Sequence, residues 1–174
     1  EIPNIDLYMD QVTTFMDEHF SSTKRYSEDK VLTKTMINNY TKNNLLPPSV
    51  KKKYSREHML LLILIYYFKN ILSIKDIETV LKPLREKYFP NESSVQLADI
   101  YKEICEMEKA RIEPMKDSVR EAYEKSQSAF KNLADGEEQD ELRLFAFICS
   151  LSFDVYLKKM MIEKIIDELA AKED

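Results

Sequence analysis

The chain has 174 residues, 44% hydrophobic and 33% charged, with a formal net charge of −5 and a single glycine, Gly136. Phosphate-binding loops and nucleophile elbows need glycine for left-handed backbone or close approach, so P-loop, dinucleotide-binding and hydrolase classes are excluded. Sheet-rich folds also need more turn glycines, which leaves all-α as the expected class.

Leu7, Tyr8, Val12, Phe15, Met16 and Phe20 recur near helical period, so a first helix is expected over 5–20. A polar loop follows over 21–30. Thr33 suits the N-cap of a second helix through Met36, Ile37 and Tyr40. That helix should end before Asn43-Asn44-Leu45-Leu46-Pro47-Pro48, with Asn44 supplying a left-handed C-cap and the prolines preventing extension. Ser55 caps a third helix, apolar nearly all round from Met59 to Phe68, which must be enclosed as the rod of the N-terminal core. That run is about half of what a membrane span needs, so no membrane association is expected. Ser73-Ile74-Lys75-Asp76 is close to a capping box and opens a fourth helix to about Leu81, which Pro83 ends or bends.

Beyond Pro90 the chain turns acidic and helical. Residues 94–132 read as one long helix or two interrupted at Pro114, Asp135-Gly136-Glu137-Glu138 as a turn, and 141–171 as the last helix. The stretch Leu142 to Leu157 is apolar on most sides, broken only by Arg143 and Asp154. One antiparallel neighbour cannot cover it, so it is expected at a subunit interface. The boundary is expected near 83–93, giving domains 1–85 and 90–174. Glu1 in place of an initiator methionine points to a trimmed N-terminus, nothing resembles a signal peptide, and a cytoplasmic location is expected.

Charge is distributed unevenly. Residues 24–56 hold nine Lys or Arg against Glu28 and Asp29, a balance of +7, so the remainder sums to −12. One basic segment on a repelling body suits a polyanion, although a solvated face explains it equally. Cys105 and Cys149 lie among apolar residues without nearby histidine, which fits small buried hydrophobes better than zinc ligands. His58 is expected at a partly exposed position in the first turn of its helix. Glu103, Glu106 and Glu113 alternate with lysines at pairing distance, and no constellation of catalytic type appears, so no enzyme and no cofactor are expected.

The residues from 31 to 81 carry a resemblance. Leu32-Thr33-Lys34-Thr35-Met36-Ile37-Asn38-Asn39-Tyr40, followed by Leu45-Leu46-Pro47-Pro48, resembles the recognition segment of MerR-family regulators, V-S-x-x-T-L-R-Y-Y-E-x-x-G-L-L-P-P. Tyr54-Ser55-Arg56-Glu57-His58 follows that family's Y-S-x-E-D, and Ile71 to Ile77 its G-F-S-L-x-E-I. The whole N-terminal pattern, with Leu7-Tyr8-Met9-Asp10-Gln11-Val12, also resembles the bacterial domain of unknown function 1836 family, for which no activity is established.

The MerR likeness implies a winged helix-turn-helix followed by a C-terminal helical hairpin or bundle. It implies a regulator of transcription on double-stranded DNA, and a homodimer through the C-terminal helices. It also implies a small-molecule effector, for which Phe145, Phe147, Phe153 and Tyr156 would line a helical pocket in the dimer. Departures from the family are plain: Asn38 replaces its arginine and Asn39 its first tyrosine. The wing between Pro48 and Tyr54 lacks glycine, which suggests a tight turn without a β-hairpin.

A helix with short polar side chains can enter the major groove, where amides and hydroxyls meet base edges. The residues expected at DNA are Thr33, Lys34, Thr35, Asn38, Asn39, Tyr40, Lys42, Lys51, Lys52, Lys53, Tyr54 and Arg56. Asn38 and Asn39 are the candidates for bidentate contact with adenine, and Lys51-Lys52-Lys53 for phosphate. Tyr40 either orients against phosphate or packs beneath Leu45-Leu46. The rival class is a helical protein-interaction module without DNA binding.

Overall fold

In the computed structural model, described over residues 2–90, 92–134 and 136–172, helices predominate. The elements run β1 (Leu7–Tyr8), α1 (Met9–Phe20), α2 (Lys34–Lys42), β2 (Lys53–Tyr54), α3 (Arg56–Phe68), α4 (Ile74–Pro83), α5 (Leu97–Gln127) and α6 (Glu137–Ala170). The chain groups into two compact units, Glu1–Lys102 with Ile166–Asp174, and Glu103–Ile165. The expected division near 83–93 falls inside the first of these.

The first unit is organised around α3. His58 through Tyr66 are buried without interruption, as a helix apolar on all faces requires. Around it pack Val12 and Met16 of α1, Ile37 and Tyr40 of α2, Ile77 and Leu81 of α4, Leu97 at the start of α5 and Ile166 near the end of α6.

Residues 7–8, expected as helix, are instead a short strand. Leu7 pairs with Tyr54 and Tyr8 with Lys53 in an antiparallel ladder. Leu7 is buried there, and the Tyr8 N–H is capped by Oε1 of Gln11, so α1 begins only at Met9. Helical period alone could not detect this, because two residues carry no period of their own.

The caps agree closely with the sequence. Thr33 Oγ1 accepts the Met36 N–H at 3.2 Å, and Ser73 and Asp76 close a reciprocal capping box. At the end of α2, Asn44 takes φ 56°, with Leu45 N–H reaching the Tyr40 carbonyl at 2.9 Å and Asn44 N–H the Thr41 carbonyl at 3.3 Å. That is a Schellman ending with asparagine at its left-handed position. Replacing Asn44 by valine should destabilise the unit by about 1 kcal/mol or more, read as a lower urea midpoint, because a β-branched residue tolerates that conformation poorly.

The α-helical hydrogen bonding of α4 ends at Pro83, but the helical course goes on. The backbone widens into a π-turn over Leu84–Tyr88, closed by Phe89 N–H to the Leu84 carbonyl at 2.9 Å. A single π-turn of this kind absorbs a disrupted ladder without stopping the helical course.

In the second unit, α5 runs as one helix through Pro114 rather than two. Helix α6 begins at Glu137, so Glu137 and Glu138 are its first turn rather than part of the connection, and Asp135 lies outside the described residues. Surface pairs Glu106–Lys109, Glu113–Lys116 and Glu121–Lys125 run along α5 as the charge alternation requires.

Candidate nucleic-acid interface

Helix α2 is amphipathic to the point of having two separate jobs. Ile37 and Tyr40 enter the core, while Thr35, Asn38, Asn39 and Lys42, spaced i, i+3, i+4, i+7, are exposed along one face. Two contacts hold this helix in place. Lys34 forms an ion pair with Asp10 of α1, so its charge is already partnered. The Lys69 ammonium of α3 donates to the Val31 carbonyl at 2.9 Å and lies 4.7 Å from the Tyr66 ring centre, which anchors the chain just before the Thr33 cap.

The segment after α2 forms a minimal hairpin, contrary to the expected turn without one. Val50 and Lys53 exchange both backbone hydrogen bonds, at 3.0 and 2.9 Å, and the two residues between them are Lys51 and Lys52. Both are left-handed, with φ 50° and 63°. Two consecutive left-handed residues are the type I′ arrangement whose twist matches a β-ribbon, normally built with Asn-Gly. Placing lysines there is strained by about 1–2 kcal/mol per residue. The strain holds two exposed ammonium groups at the tip of the turn. Lys53, half-buried, lies in the ribbon with its ammonium 5.2 Å from the Tyr8 ring centre.

His58 is the residue that the sequence misplaces. It is buried, 2% exposed, not partly exposed at the surface. Its Nδ1 accepts the Ser55 N–H at 3.0 Å, which leaves Nε2 to donate to the Pro48 carbonyl at 3.3 Å. Tyr54 and Phe89 meet the ring edge-on. The imidazole thus joins the base of the hairpin to the cap of α3 as a neutral group. Burial pushes its pKa below the ordinary value, outweighing the upward pull of the Pro48 carbonyl and Glu57. A depressed folded pKa means that the unfolded chain binds more protons as pH falls. The stabilisation is therefore complete above about pH 6.5 and lost progressively below it. The urea midpoint should fall between pH 7.5 and 5, and His58→Gln should flatten that dependence while lowering the midpoint at pH 7.5. The Ser-x-x spacing from the cap could have flagged His58 as a capping partner.

Of the twelve residues expected at DNA, Lys34, Thr35, Asn38, Asn39, Lys42, Lys51, Lys52 and Arg56 are exposed on α2, the hairpin tip and the start of α3. Thr33 is spent on its cap, and Lys34 makes a solvent-exposed ion pair with Asp10. Tyr40 and Tyr54 are core side chains, which settles the alternative for Tyr40 in favour of packing beneath Leu45-Leu46. Their apolar rings gain more from burial beside α3 than from a place in water.

In the second unit, Phe145, Phe153 and Tyr156 are exposed and Phe147 packs edge-on against Tyr123. An open groove of about 760 Å³ runs between α5 and α6, lined by Cys105, Ile112, Met115, Val119 and Leu151 together with charged residues. Cys149 is exposed rather than buried. Among the described residues no group of three or more His, Cys, Asp or Glu is placed to hold a metal ion, and no helix is long and apolar enough to cross a membrane.

The fold and its exposed polar helix define a small, predominantly helical protein with Lys42, Lys51, Lys52 and Arg56 exposed on its N-terminal unit. The chain belongs to the family described as Domain of unknown function (DUF1836), whose profile matches residues 1–104. No curated protein and no solved structure matches it.

Proposed function

We propose that this DUF1836 chain is a transcriptional regulator that binds double-stranded DNA through a reduced winged helix-turn-helix of MerR-like type. The observation that carries the reading is the pairing of two surfaces close in sequence. One is the face Thr35, Asn38, Asn39 and Lys42 of α2, and the other is the strained Lys51-Lys52 tip that follows it. Helix, helix and β-ribbon occur in the order of that motif, with α2 in the place of the helix that reads bases.

In this reading Asn38 and Asn39 face base edges. Their amides suit the paired acceptor and donor of adenine in the major groove. Lys42, Lys51, Lys52 and Arg56 meet phosphates, which set register and supply most of the affinity. The regulator acts as a homodimer through the second unit, because a symmetric operator presents two half-sites. An effector, if the protein senses one, enters through that same unit.

The test is binding of random-sequence duplex DNA by the full chain across a salt series, with Lys51→Glu/Lys52→Glu in parallel. Glutamate is strained in the left-handed region much as lysine is, so the fold is little affected. The expected result is salt-dependent binding that the variant loses, with the plot of log affinity against log salt flattened by about 1.8 for two phosphates. No binding at low salt, or equal binding by the variant, would sink the DNA reading and favour a protein-interaction module.

A further inference from the structure

Resting on the DNA reading above, we infer that Asp10 of α1 competes with DNA phosphate for Lys34, and so holds down affinity for duplexes of every sequence. Lys34 is the first residue of α2, and Asp10 lies in the first turn of α1. The two helices share one core, to which α1 gives Val12 and Met16 and α2 gives Ile37, and the Lys34–Asp10 ion pair joins their first turns. Lys34 stands one turn before Asn38, so it borders the face formed by Thr35, Asn38, Asn39 and Lys42. A duplex seated on that face meets a lysine and a carboxylate at the same edge. The first attracts its phosphates and the second repels them.

Exposure makes this pair exchangeable. The Lys34 and Asp10 side chains are 58% and 78% exposed, whereas in the Lys24–Asp17 pair of the same helix the lysine is only 14% exposed. A solvent-exposed ion pair is worth little more than the contact of each ion with water, so phosphate can take over the ammonium. The exchange has two opposed consequences. Each phosphate that a lysine neutralises releases counterions from the duplex, which favours binding most at low salt. Taking Lys34, however, leaves the Asp10 carboxylate unpaired beside DNA, and a like charge at the edge of an interface costs affinity. Residues 1–23 carry five acids and no Lys or Arg, so no cation of that stretch can replace the lost partner. Phosphate contacts carry no sequence information. By lowering their share of the affinity, Asp10 leaves the larger share to Asn38 and Asn39 at the bases.

The experiment measures binding of random-sequence duplex DNA by the full chain across a salt series. Asp10→Asn should bind roughly tenfold more tightly near 50 mM salt, and steepen the plot of log affinity against log salt by about 0.9, one phosphate. Lys34→Ala should leave the slope of the wild-type chain unchanged, yet remove about 0.9 from it in the Asp10→Asn background. Glu18→Gln makes the same change in net charge at the exposed far end of α1, and should leave the slope unchanged. Urea midpoints should stay close to that of the wild type, since an exposed pair contributes little to folding. A gain that persists in Asp10→Asn/Lys34→Ala, or that Glu18→Gln reproduces, is general repulsion and overturns the competition for Lys34. An Asp10→Asn slope equal to the wild-type slope, in a chain whose binding Lys51→Glu/Lys52→Glu abolishes, overturns this inference and spares the DNA reading. No binding by any form at low salt sinks both.

Discussion

Replacing Lys51 by asparagine and Lys52 by glycine should make the protein more stable and a poorer DNA binder in the same step. Both positions hold left-handed backbone, φ 50° and 63°, between the paired residues Val50 and Lys53. Asn-Gly is the sequence that a type I′ turn favours, so the change relieves about 1–2 kcal/mol at each position. A gain of about 2 kcal/mol in unfolding free energy is expected, visible as a higher urea midpoint at unchanged slope. The variant also removes two cations from the tip, and its affinity for duplex DNA should lose a salt-dependence slope of about 1.8. Opposite signs in the two assays are the diagnostic. A hairpin whose lysines served only solubility would gain stability and lose no binding. Strain at an exposed turn is most readily understood when the strained residues contact something.

The second large effect lies in the core. Leu61→Ala removes a fully buried side chain from the middle of α3, the helix that all other elements of the first unit surround. A truncation of this kind should destabilise by about 2–5 kcal/mol, because the rod cannot collapse around the cavity. That is a large share of the roughly 5–15 kcal/mol available to a domain. Leu144→Ala on exposed α6 should change the stability of the monomeric chain by no more than about 0.5 kcal/mol. Urea denaturation of the two variants side by side reads the contrast.

Much of this was legible in the chain because it depended on local chemistry. The Thr33, Ser55 and Ser73 caps, the left-handed Asn44 and the enclosure of α3 follow from side-chain reach, backbone sterics and an apolar run that no single neighbour could cover. The candidate interface was legible in part. Thr35, Asn38, Asn39 and Lys42 share a face because 3.6 residues make a turn, and this could be counted off the sequence. What each neighbouring residue does beyond that depends on distant partners. Lys34 is occupied by Asp10 across two helices, and Tyr40 and Tyr54 turn inward because α3 offers them apolar surface.

His58 shows the limit most clearly. From sequence it is a first-turn polar residue, and nothing local says that Pro48 and Phe89 will close over it. The same holds for β1, which exists only because Tyr54 and Lys53 return to meet it. The basic strip opened as an excess of seven positive charges over residues 24–56, a property of composition. Folding engaged some of its cations in contacts within the chain, Lys24, Lys34 and Lys53, and left Lys30, Lys42, Lys51, Lys52 and Arg56 among those exposed. Short-range rules govern caps, turns and helix faces because their energies are settled within a few residues. Which charge remains available for a partner depends on side chains that only tertiary packing brings within reach.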